Sequence, residues 1–358
     1  MRARADSRPI LITGGAGFIG SNLADRLAGA GHEVIVYDAL SRPGVERNLA
    51  WLRQRHGARI TAIIGDTRDE DEVVRAAADV KAAFHFAAQV AVTTSMVDPR
   101  EDFDINVRGT INLLDAIRTR GEPLPVIFAS TNKVYGDLGD LPFAELDDRY
   151  EPSGLFARRG IDESRRLDFH TPYGCSKGAA DQYVLDYARS FGIPTLVFRM
   201  SCIYGQRQMG TEDQGWVAHF LIRALEDEPI TIYGDGKQVR DILDVHDAVN
   251  AYVAALENID RVHGRAFNLG GGPDNAVSLL QLLDEMRDVT GREVELRFED
   301  WRPGDQRWYV SNASAAQGAL GLPKPRSWRD GVARLASWLA SDRGVELEAE
   351  PRLASAAQ

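Results

Sequence analysis

A tyrosine and a lysine four residues apart, Tyr173 and Lys177, are the pair of side chains in this chain that best suits proton transfer. On a helix this spacing places both side chains on one face. A phenol with a pKa of about 10 is a poor base at neutral pH, but a nearby ammonium group stabilises the phenolate and lowers that pKa. The pair therefore suits general acid–base catalysis. Because many solvent-facing helices carry the same two residues, the assignment depends on what surrounds them.

A glycine-rich turn near the N-terminus predicts a dinucleotide site. The apolar run Ile10–Thr13 leads directly into Gly14, Gly17 and Gly20, and a helical pattern follows. In such a unit the first glycine permits the tight turn, the second lets the backbone approach a pyrophosphate, and the third lets the helix pack on the sheet. The next strand ends at Asp38, whose carboxylate suits the two ribose hydroxyls of adenosine and repels a 2′-phosphate. We therefore expect NAD rather than NADP, although the nearby Arg42 weakens this preference.

Short β-branched runs alternate with longer amphipathic stretches through residues 1–200. This alternation predicts α/β structure, a Rossmann-type doubly wound parallel sheet with a smaller, mostly C-terminal α/β substrate-binding domain. The predicted strands are Ile10–Thr13, Glu33–Asp38, Ile60–Ile64, Ala82–Ala87, Val126–Ser130 and Thr195–Arg199. The predicted helices are Gly17–Ala30, Asp69–Ala78, Arg100–Arg120 and Tyr173–Phe191. The carboxyl ends of such strands face one crevice, so Thr131 is expected at the same edge as the glycine turn.

The same pattern predicts how the chain divides into domains. Residues 1–200 are expected to form the NAD-binding domain, and residues 201–341 mainly the substrate-binding domain, with some segments returning to the first. Residues 342–358 are expected to be a frayed tail. One long segment, 136–171, interrupts the alternation, and a loop of this length is usually functional or disordered. Because it leads directly into Tyr173, we expect it on the substrate side.

Composition excludes several classes of function. Among 358 residues there are 42 Lys and Arg against 53 Asp and Glu, a formal net charge of −11. This acidity, without a long basic run, argues against nucleic acid or an anionic membrane as the main partner. No signal-peptide pattern and no run of about 20 apolar residues is present. Two cysteines, Cys175 and Cys202, are too few for a disulfide framework or a structural zinc site. We expect a cytoplasmic protein without a metal site.

The glycine turn, the strand-end hydroxyl of Thr131 and the Tyr173/Lys177 pair, in this order and spacing, resemble the extended short-chain dehydrogenase/reductase family of nucleotide-sugar epimerases and dehydratases. The resemblance covers residues 8–340 and implies that Thr131, Tyr173 and Lys177 are catalytic, with NAD as the cofactor. It implies a set of NAD contacts: Gly14, Gly17, Phe18, Ile19, Gly20, Asp38, Ser41, Arg42, Asp66, Thr67, Phe86, Ala87, Ala88, Gln89, Asn106, Tyr173, Lys177 and Arg199. Two alternatives stay open, because Asp66 equally suits a helix N-cap and Arg199 a structural role.

The two residues after Thr131 distinguish branches of this family. In the sugar 4,6-dehydratases an acid pair follows the threonine, whereas this chain has Asn132 and Lys133. Elimination is therefore disfavoured, as is the decarboxylation performed by relatives with a glutamate in this region, and reversible oxidation remains. Longer stretches resemble the CDP-paratose 2-epimerase subgroup, also called CDP-tyvelose epimerases: residues 89–95, 130–137, 167–183, 213–217, 236–241 and 305–307.

This resemblance implies inversion of C2 in a CDP-deoxyhexose or CDP-dideoxyhexose, such as CDP-paratose to CDP-tyvelose. Tyr173, assisted by Thr131, would take the proton of the 2-hydroxyl while NAD accepts the hydride, and bound NADH would return the hydride to the other face of a 2-keto sugar. The implied substrate contacts are Thr94, Asn132, Asp168, His170, Arg207, Gln208, Gln214, Arg240 and Arg307. The three arginines suit bidentate binding of a diphosphate. His170 is equally compatible with a loop histidine that contacts only protein groups.

Two other functions stay open. A 4-epimerase of a UDP- or dTDP-hexose would use the same groups and NAD on a differently oriented sugar. A non-catalytic NAD-binding subunit would share the fold, but such proteins usually lose a reacting group, and Thr131, Tyr173 and Lys177 are all present. In this family the helices corresponding to Arg100–Arg120 and Tyr173–Phe191 commonly form a dimer interface, which implies a homodimer or homotetramer here.

Overall fold

Strands and helices alternate along the protein in a computed structural model that describes residues 6–347. The strands are β1 Ile10–Thr13, β2 Val34–Asp38, β3 Ile60–Ile64, β4 Ala82–His85, β5 Val126–Thr131, β6 Phe143–Glu145, β7 Tyr150–Pro152, β8 Thr195–Met200, β9 Cys202–Tyr204, β10 Ile230–Tyr233, β11 Val239–Asp244, β12 Arg265–Leu269, β13 Ala276–Ser278, β14 Leu296–Glu299 and β15 Trp308–Tyr309. The helices are α1 Phe18–Gly29, α2 Val45–His56, α3 Glu70–Ala77, α4 Val92–Val97, α5 Pro99–Phe103, α6 Gly109–Thr119, α7 Leu155–Arg159, α8 Thr171–Phe191, α9 Trp216–Leu225, α10 Val245–Glu257, α11 Ile259–Val262, α12 Leu279–Thr290, α13 Ser314–Leu320 and α14 Trp328–Arg343.

The central sheet has seven parallel strands in the order β12-β8-β5-β4-β1-β2-β3. From β1 the chain first builds outward through β2 and β3, and then returns to build the other half from β4, which is the doubly wound pattern. The expected fold class is therefore confirmed. Strands β1 and β5 are buried along their whole length, because helices cover both faces of the sheet. The carboxyl ends of β1, β4 and β5 thus meet at one edge.

Most predicted strands and helices of the first 200 residues are present, with bounds that differ by one or two residues. The predicted helix Arg100–Arg120 is instead interrupted, because a π-helical turn, Asp104–Arg108, joins α5 to α6. The sequence prediction also omitted α2, whose residues are mostly polar. Its buried side chains recur at helical spacing, at Val45, Asn48, Leu49 and Leu52.

The segment 136–171 is structured rather than a continuous loop. It contains the antiparallel hairpin β6–β7 and the short helix α7. Three of its apolar side chains, Leu138, Leu141 and Ile161, are buried in a cluster with Trp308 and Tyr309 of β15. This apolar burial against the C-terminal part of the chain explains why a segment rich in charged residues is ordered.

Residues after 200 contribute both to the central sheet and to the smaller sheets of the C-terminal part. β12 pairs in parallel with β8, and Tyr252 of α10 packs edge-on against Phe84 and Phe198 of the central sheet, with ring centroids 6.2 and 5.0 Å apart. The other C-terminal strands form two small sheets, in which β11 lies between β13 and β15 and β10 pairs with β14. The helices α9, α12 and α14 share an apolar core with these sheets.

The last helix, α14, ends at Arg343 and includes the first two residues of the predicted frayed tail. Residues 348–358 of that tail lie outside the described residues. Within residues 6–347 no helix is both long enough and apolar enough to cross a membrane.

Candidate active site

The tyrosine and threonine of the predicted catalytic group are in contact. The buried strand β5 ends at Thr131, and α8 begins at Thr171 with Pro172 in its first turn. The Thr131 hydroxyl donates to Asn132 Oδ1 at 3.3 Å, and it lies close enough to the Tyr173 hydroxyl to act against the rise in the pKa of that phenol. At the other end of the same residue, the Tyr173 N–H donates to Ser95 Oγ at 3.2 Å. Tyr173 is therefore next to Thr131 at its side chain and fixed by Ser95 at its backbone.

Burial moves the pKa values of Tyr173 and Lys177 in opposite directions. It raises the pKa of Tyr173 to about 12, although the Thr131 hydroxyl opposes this shift. It lowers the pKa of Lys177 to about 7, although the carboxylates of Asp181 and Asp102 oppose that shift. The Lys177 ammonium nitrogen lies 4.1 Å from the centroid of the Phe128 ring. In the protein alone, burial therefore affects these two pKa values more than the stabilisation of a Tyr173 phenolate by a Lys177 ammonium, which the spacing of the two residues suggested.

The glycine turn has the shape that a dinucleotide requires. Gly14 has φ +68°, and a Cβ there would lie 2.6 Å from the Ala87 nitrogen. A Cβ on Gly20 would lie 2.2 Å from the Gly14 carbonyl oxygen, whereas a Cβ on Gly17 would meet only that oxygen, at 3.1 Å. The first and third glycines are therefore needed for packing, and the second leaves open space. Gly17 caps α1 without a side chain, so N–H groups of its first turn, at Phe18 and Ile19, suit a pyrophosphate.

Asp38 is fixed beside this turn. One carboxylate oxygen accepts from the Ala16 N–H and the other from the Leu40 N–H, both at 2.9 Å. Farther along the loop, Ser41 is exposed, and Arg42 donates through Nη1 to Gln214 Oε1 at 2.5 Å. The structure thus brings together Arg42, assigned to NAD, and Gln214, assigned to the substrate.

Asp66 and Thr67 follow β3. Asp66 binds the guanidinium and the N–H of Arg68, and these hydrogen bonds lower the pKa of its carboxyl group. The N-cap of α3 is Asp69, which accepts from the Glu72 N–H at 3.0 Å, so the N-cap interpretation of Asp66 is wrong. Thr67 is buried beneath α6, where a Cβ on Gly109 would lie 2.5 Å from its hydroxyl.

Asn106, in the π-helical turn, links the segment after β4 to α8. Its Oδ1 accepts from the Gln89 N–H at 2.9 Å, and its Nδ2 donates to the Gln89 carbonyl at 3.1 Å and to Ser176 Oγ at 3.0 Å. Ser176 directly precedes Lys177. Among the preceding residues, Phe86 packs edge-on against Tyr252 at 4.7 Å, and Ala87 and Ala88 are partly buried.

Arg199 forms a buried ion pair within the protein. Its Nε and Nη2 donate to the two carboxylate oxygens of Asp181, each at 2.9 Å, and its Nη1 donates to the Tyr135 hydroxyl at 3.2 Å. Ser130 Oγ also donates to Asp181, at 2.8 Å. Arg199 and Asp181 are 6% and 0% exposed, and these contacts support the structural alternative for Arg199 rather than a cofactor contact.

The residues after Thr131 meet the C-terminal part of the chain. Asn132 Nδ2 donates to Gln306 Oε1 at 3.1 Å, and Gln306 Nε2 donates to the Gly136 carbonyl at 2.5 Å. Sequence reasoning missed Gln306, although the stretch 305–307 had been singled out, because only its arginine was considered. The full burial of Gln306 and its contact with Asn132 mark it as part of the site.

Two cations share one carboxylate beside this amide pair. Arg240 Nη2 donates to Asp305 Oδ1 at 2.6 Å, and the Lys133 ammonium lies 3.6 Å from the same oxygen. Lys133 also donates to the Gly304 carbonyl at 3.0 Å. The predicted substrate residue Arg240 is therefore brought to the end of β5, together with Lys133.

Other predicted substrate residues lie differently. Arg307 is exposed, with its guanidinium 5.5 Å from the centroid of the Tyr150 ring. Thr94 is exposed, whereas the hydroxyl of the neighbouring Thr93 is buried without a hydrogen-bond partner. In the short helix α4 the hydroxyl of Thr93 therefore points inward, and the substrate contact of Thr94 stays a prediction.

The Asp168, His170 and Gln208 side chains have protein partners. Asp168 is exposed, and its carboxylate lies 3.1 Å from His170 Nε2, while Asp137 lies 3.6 Å from His170 Nδ1. These contacts support the interpretation of His170 as a loop histidine. Gln208 is buried and donates to the Ile203 carbonyl at 3.2 Å, but its own Oε1 has no partner.

Arg207 is the predicted phosphate ligand that the structure does not bring to this edge. Its guanidinium lies over the indole rings of Trp51, in α2, and Trp338, in α14. These aromatic contacts hold the charge against the outer helices.

A comparison with known protein families agrees with the dinucleotide site at the glycine turn. The model of the NAD dependent epimerase/dehydratase family matches residues 10–270. The chain belongs to this family. The predicted family and NAD dependence are therefore confirmed, and the glycine turn and Asp38 form a fitting site for that cofactor.

Members of the family align over nearly the whole chain. The protein is 44% identical over 341 residues to CDP-paratose 2-epimerase from Salmonella typhi, covering 93% of this chain and 99% of that protein. It resembles the structure of UDP-glucose 4-epimerase from Thermotoga maritima with UDP-glucose, with a TM-score of 0.80, 30% identity and coverage of 94% and 99%. It also resembles UDP-glucuronic acid 4-epimerase from Bacillus cereus in complex with UDP-glucuronic acid and NAD, with a TM-score of 0.79, 28% identity and coverage of 93% and 99%.

The buried Lys177 predicts a specific dependence of stability on pH. Its folded-state pKa of about 7 lies below its ordinary value of 10.5, so between these values the unfolded chain binds more protons. Stability of the NAD-free protein should therefore rise from pH 7 to pH 9, by up to about 1.4 kcal/mol per pH unit, and Lys177→Met should lose this rise. Urea unfolding measures both proteins, with Lys324→Met as the control at an exposed lysine. An equal pH dependence in wild type and Lys177→Met would contradict the burial argument.

Proposed function

We propose that the protein is an NAD-dependent epimerase that inverts C2 of a CDP-deoxyhexose or CDP-dideoxyhexose, such as CDP-paratose to CDP-tyvelose, through a transient 2-keto sugar. The observation that carries the proposal is the 44% identity, over 93% of this chain, to a CDP-paratose 2-epimerase. The site supports it, because Thr131 and Tyr173 are in contact and the next two residues, Asn132 and Lys133, are not acids. Oxidation and reduction at one carbon need no further acid pair.

In this proposal Tyr173 accepts and returns the proton, and the neighbouring groups orient its oxygen and stabilise its phenolate. When bound, NAD supplies the acceptor and donor of the hydride and, in its oxidised form, a positive charge that favours the Tyr173 phenolate. The Thr131 hydroxyl orients the Tyr173 oxygen, which accepts the proton of the sugar 2-hydroxyl and returns it after inversion. Lys177, one helical turn farther along α8, adds a second positive charge when protonated. Asn132, fixed by Gln306, presents an amide to the sugar hydroxyls.

We assign the diphosphate to the edge at which Lys133 and Arg240 lie. Both cations face the single carboxylate of Asp305, so this edge keeps a net positive charge. A planar guanidinium next to an ammonium suits phosphate oxygens. Arg307, exposed beside Tyr150, is a second candidate for the nucleotide.

A 4-epimerase acting on a UDP- or dTDP-hexose is the second candidate function. The match to the Thermotoga maritima structure with UDP-glucose, at a TM-score of 0.80, favours it. A non-catalytic NAD-binding subunit has less support, because the reacting groups are present and Thr131 and Tyr173 are in contact.

The carbon that is inverted decides between the two epimerases. We expect CDP-paratose, but not UDP-glucose, to be converted, and NMR of the product to show inversion at C2. CDP should also raise the melting temperature more than UDP, dTDP or GDP, because a ligand that binds only the folded state stabilises it in proportion to ln(1 + [L]/Kd). Inversion of UDP-glucose at C4, together with an equal or absent shift from CDP, would reject the proposed substrate.

Removing the Tyr173 hydroxyl tests the proton-transfer role. Tyr173→Phe should reduce turnover by at least about 100-fold, in the range of general acid–base catalysis. The NAD content of the purified variant should stay at the wild-type level, because the glycine turn is unchanged. Tyr187→Phe, at a tyrosine of the same helix whose hydroxyl donates to Asp115, serves as the control and should keep its activity. Turnover of Tyr173→Phe close to that of wild type would remove Tyr173 from the mechanism.

We further propose that the protein forms a homodimer, or a homotetramer built from such dimers, through the face made by α4, α5 and α8. Large apolar side chains are exposed on these three helices: Met96, Val97, Phe103, Tyr183 and Phe191. An exposed apolar face of this kind commonly marks an interaction site.

A charge within this face should separate the subunits. Val97 is 86% exposed, so Val97→Asp removes little packing within the chain and buries a carboxylate at the proposed interface. Sedimentation should show a dimer or tetramer for wild type and a monomer for Val97→Asp. Phe298→Asp, at an exposed apolar residue of β14, is the control. A wild-type protein that sediments as a monomer would refute the proposed assembly.

Cytoplasmic action on a small nucleotide sugar, rather than on nucleic acid or a membrane, completes the proposal. Cys175 and Cys202 are both free thiols, which suits a reducing compartment. The basic groups Lys133 and Arg240 lie at the strand ends rather than in an extended surface stripe.

A further inference from the structure

Arg207 is held by two aromatic rings from different parts of the chain. Its guanidinium carbon lies 4.0 Å from the ring centroid of Trp51 and 5.4 Å from that of Trp338, and both distances are within cation–π range. The charged groups around it are Asp25, Arg47, Arg55 and Asp342, and the two carboxylates among them form ion pairs with Arg55 and Arg47. This guanidinium is thus engaged with α2 and α14 rather than with the crevice.

The backbone at Arg207 adopts a conformation that an arginine normally avoids. Its φ is +68°, in the left-handed region, and Gly205, two residues earlier, has φ +151°. A non-glycine residue in this region costs of order 1 kcal/mol and persists only when surrounding contacts impose it. The aromatic contacts of the side chain are such a constraint, together with a hydrogen bond to the backbone carbonyl.

That hydrogen bond connects Arg207 to the glycine turn. The buried Asn48 amide donates to the Arg207 carbonyl and to the Ala16 carbonyl, both at 3.1 Å. The Ala16 N–H in turn donates to Asp38. Asn22, in α1, donates to the neighbouring Gln206 carbonyl at 3.0 Å. The backbone around Arg207 is therefore one step from the residues that form the dinucleotide site.

The rest of this segment crosses the loop after Asp38. We call residues 205–215 the strap. Met209 of the strap lies against Gly44, where a Cβ would be 2.9 Å from Met209 Cγ. Farther on, Gln214 accepts the hydrogen bond from Arg42. The strap thus contacts the loop that joins β2 to α2 at Arg42 and Gly44, and the predicted adenosine contacts Ser41 and Arg42 lie on this loop.

We propose that Arg207 is a positioning residue for the dinucleotide site, which holds the strap closed over the β2–α2 loop by stacking on Trp51 and Trp338 and thereby slows the release of NAD. The need for slow release rests on the proposed function, because an epimerase that returns the hydride to its substrate regenerates its NAD in every turnover. The stacking itself and its connection to the glycine turn do not depend on which sugar is bound.

The test measures NAD release from the purified holoenzyme without any sugar. Released NAD is trapped by an excess of a second dehydrogenase and its alcohol, and the NADH formed is followed by absorbance. We expect Arg207→Ala to release NAD about tenfold faster. The free energy of the two cation–π contacts is of the size that corresponds to a tenfold change in a rate. Arg207→Gly, which removes the stacking but accepts a positive φ, should release NAD as fast as Arg207→Ala while melting at a higher temperature.

Two controls separate the proposal from simpler roles of Arg207. Arg47→Ala removes the Arg47–Asp342 ion pair, which also joins α2 to α14 at 2.8 Å, and should change NAD release less than twofold, as expected for an exposed pair. Calorimetric binding of CDP to the holoenzyme should be unchanged in Arg207→Ala.

The outcomes are distinct. Weaker CDP binding with unchanged NAD release would make Arg207 the diphosphate ligand that its sequence context predicted, and would overturn the proposal. If Arg207→Gly releases NAD at the wild-type rate, any effect of Arg207→Ala is due to backbone strain. That result would also overturn the proposal. Failure of the wild-type protein to bind CDP would reject the proposed substrate, but NAD release would still decide the role of Arg207.

Discussion

The position of α8, the helix that carries Tyr173 and Lys177, depends on one buried ion pair. Asp181 receives two hydrogen bonds from Arg199 and one from Ser130, so that α8 is joined to β8 and to the end of β5. Removing one partner of such a pair typically costs about 3–5 kcal/mol, because the other charge is left buried and unpaired. Asp181 lies one helical turn after Lys177, and Ser130 directly precedes Thr131. The same contact therefore sets the distance between α8, which carries Tyr173, and β5, which carries Thr131.

Low solvent access has two opposing effects in this site. It strengthens every interaction between charges, and it also disfavours the phenolate of Tyr173 and the ammonium of Lys177. Both groups are thus shifted toward their neutral forms in the protein alone. In the proposed mechanism, proton transfer by Tyr173 therefore depends on the positive charge that oxidised NAD brings.

The sequence was informative about those features of the site that are formed by residues close together along the chain. The strand, glycine turn and helix around Gly14 to Gly20 form one local unit, and Tyr173 and Lys177 share a helix face because of their spacing. The residues that were missed or misplaced depend on long-range packing. Gln306 joins the site only because β15 and the segment before it return to β5, and Arg207 is drawn away by Trp51 and Trp338, which are distant in sequence. No local pattern records such contacts.

The π-helical turn that contains Asn106 has an evolutionary consequence. Such a turn is equivalent to one additional residue within an α-helix, and one residue corresponds to a rotation of about 100° around the helix axis. Deleting a single codon upstream of Asn106 could restore a regular helix and turn this side chain away from Gln89 and Ser176. A relative could therefore acquire or lose this link between β4 and α8 in one mutational step, without any substitution among its catalytic residues.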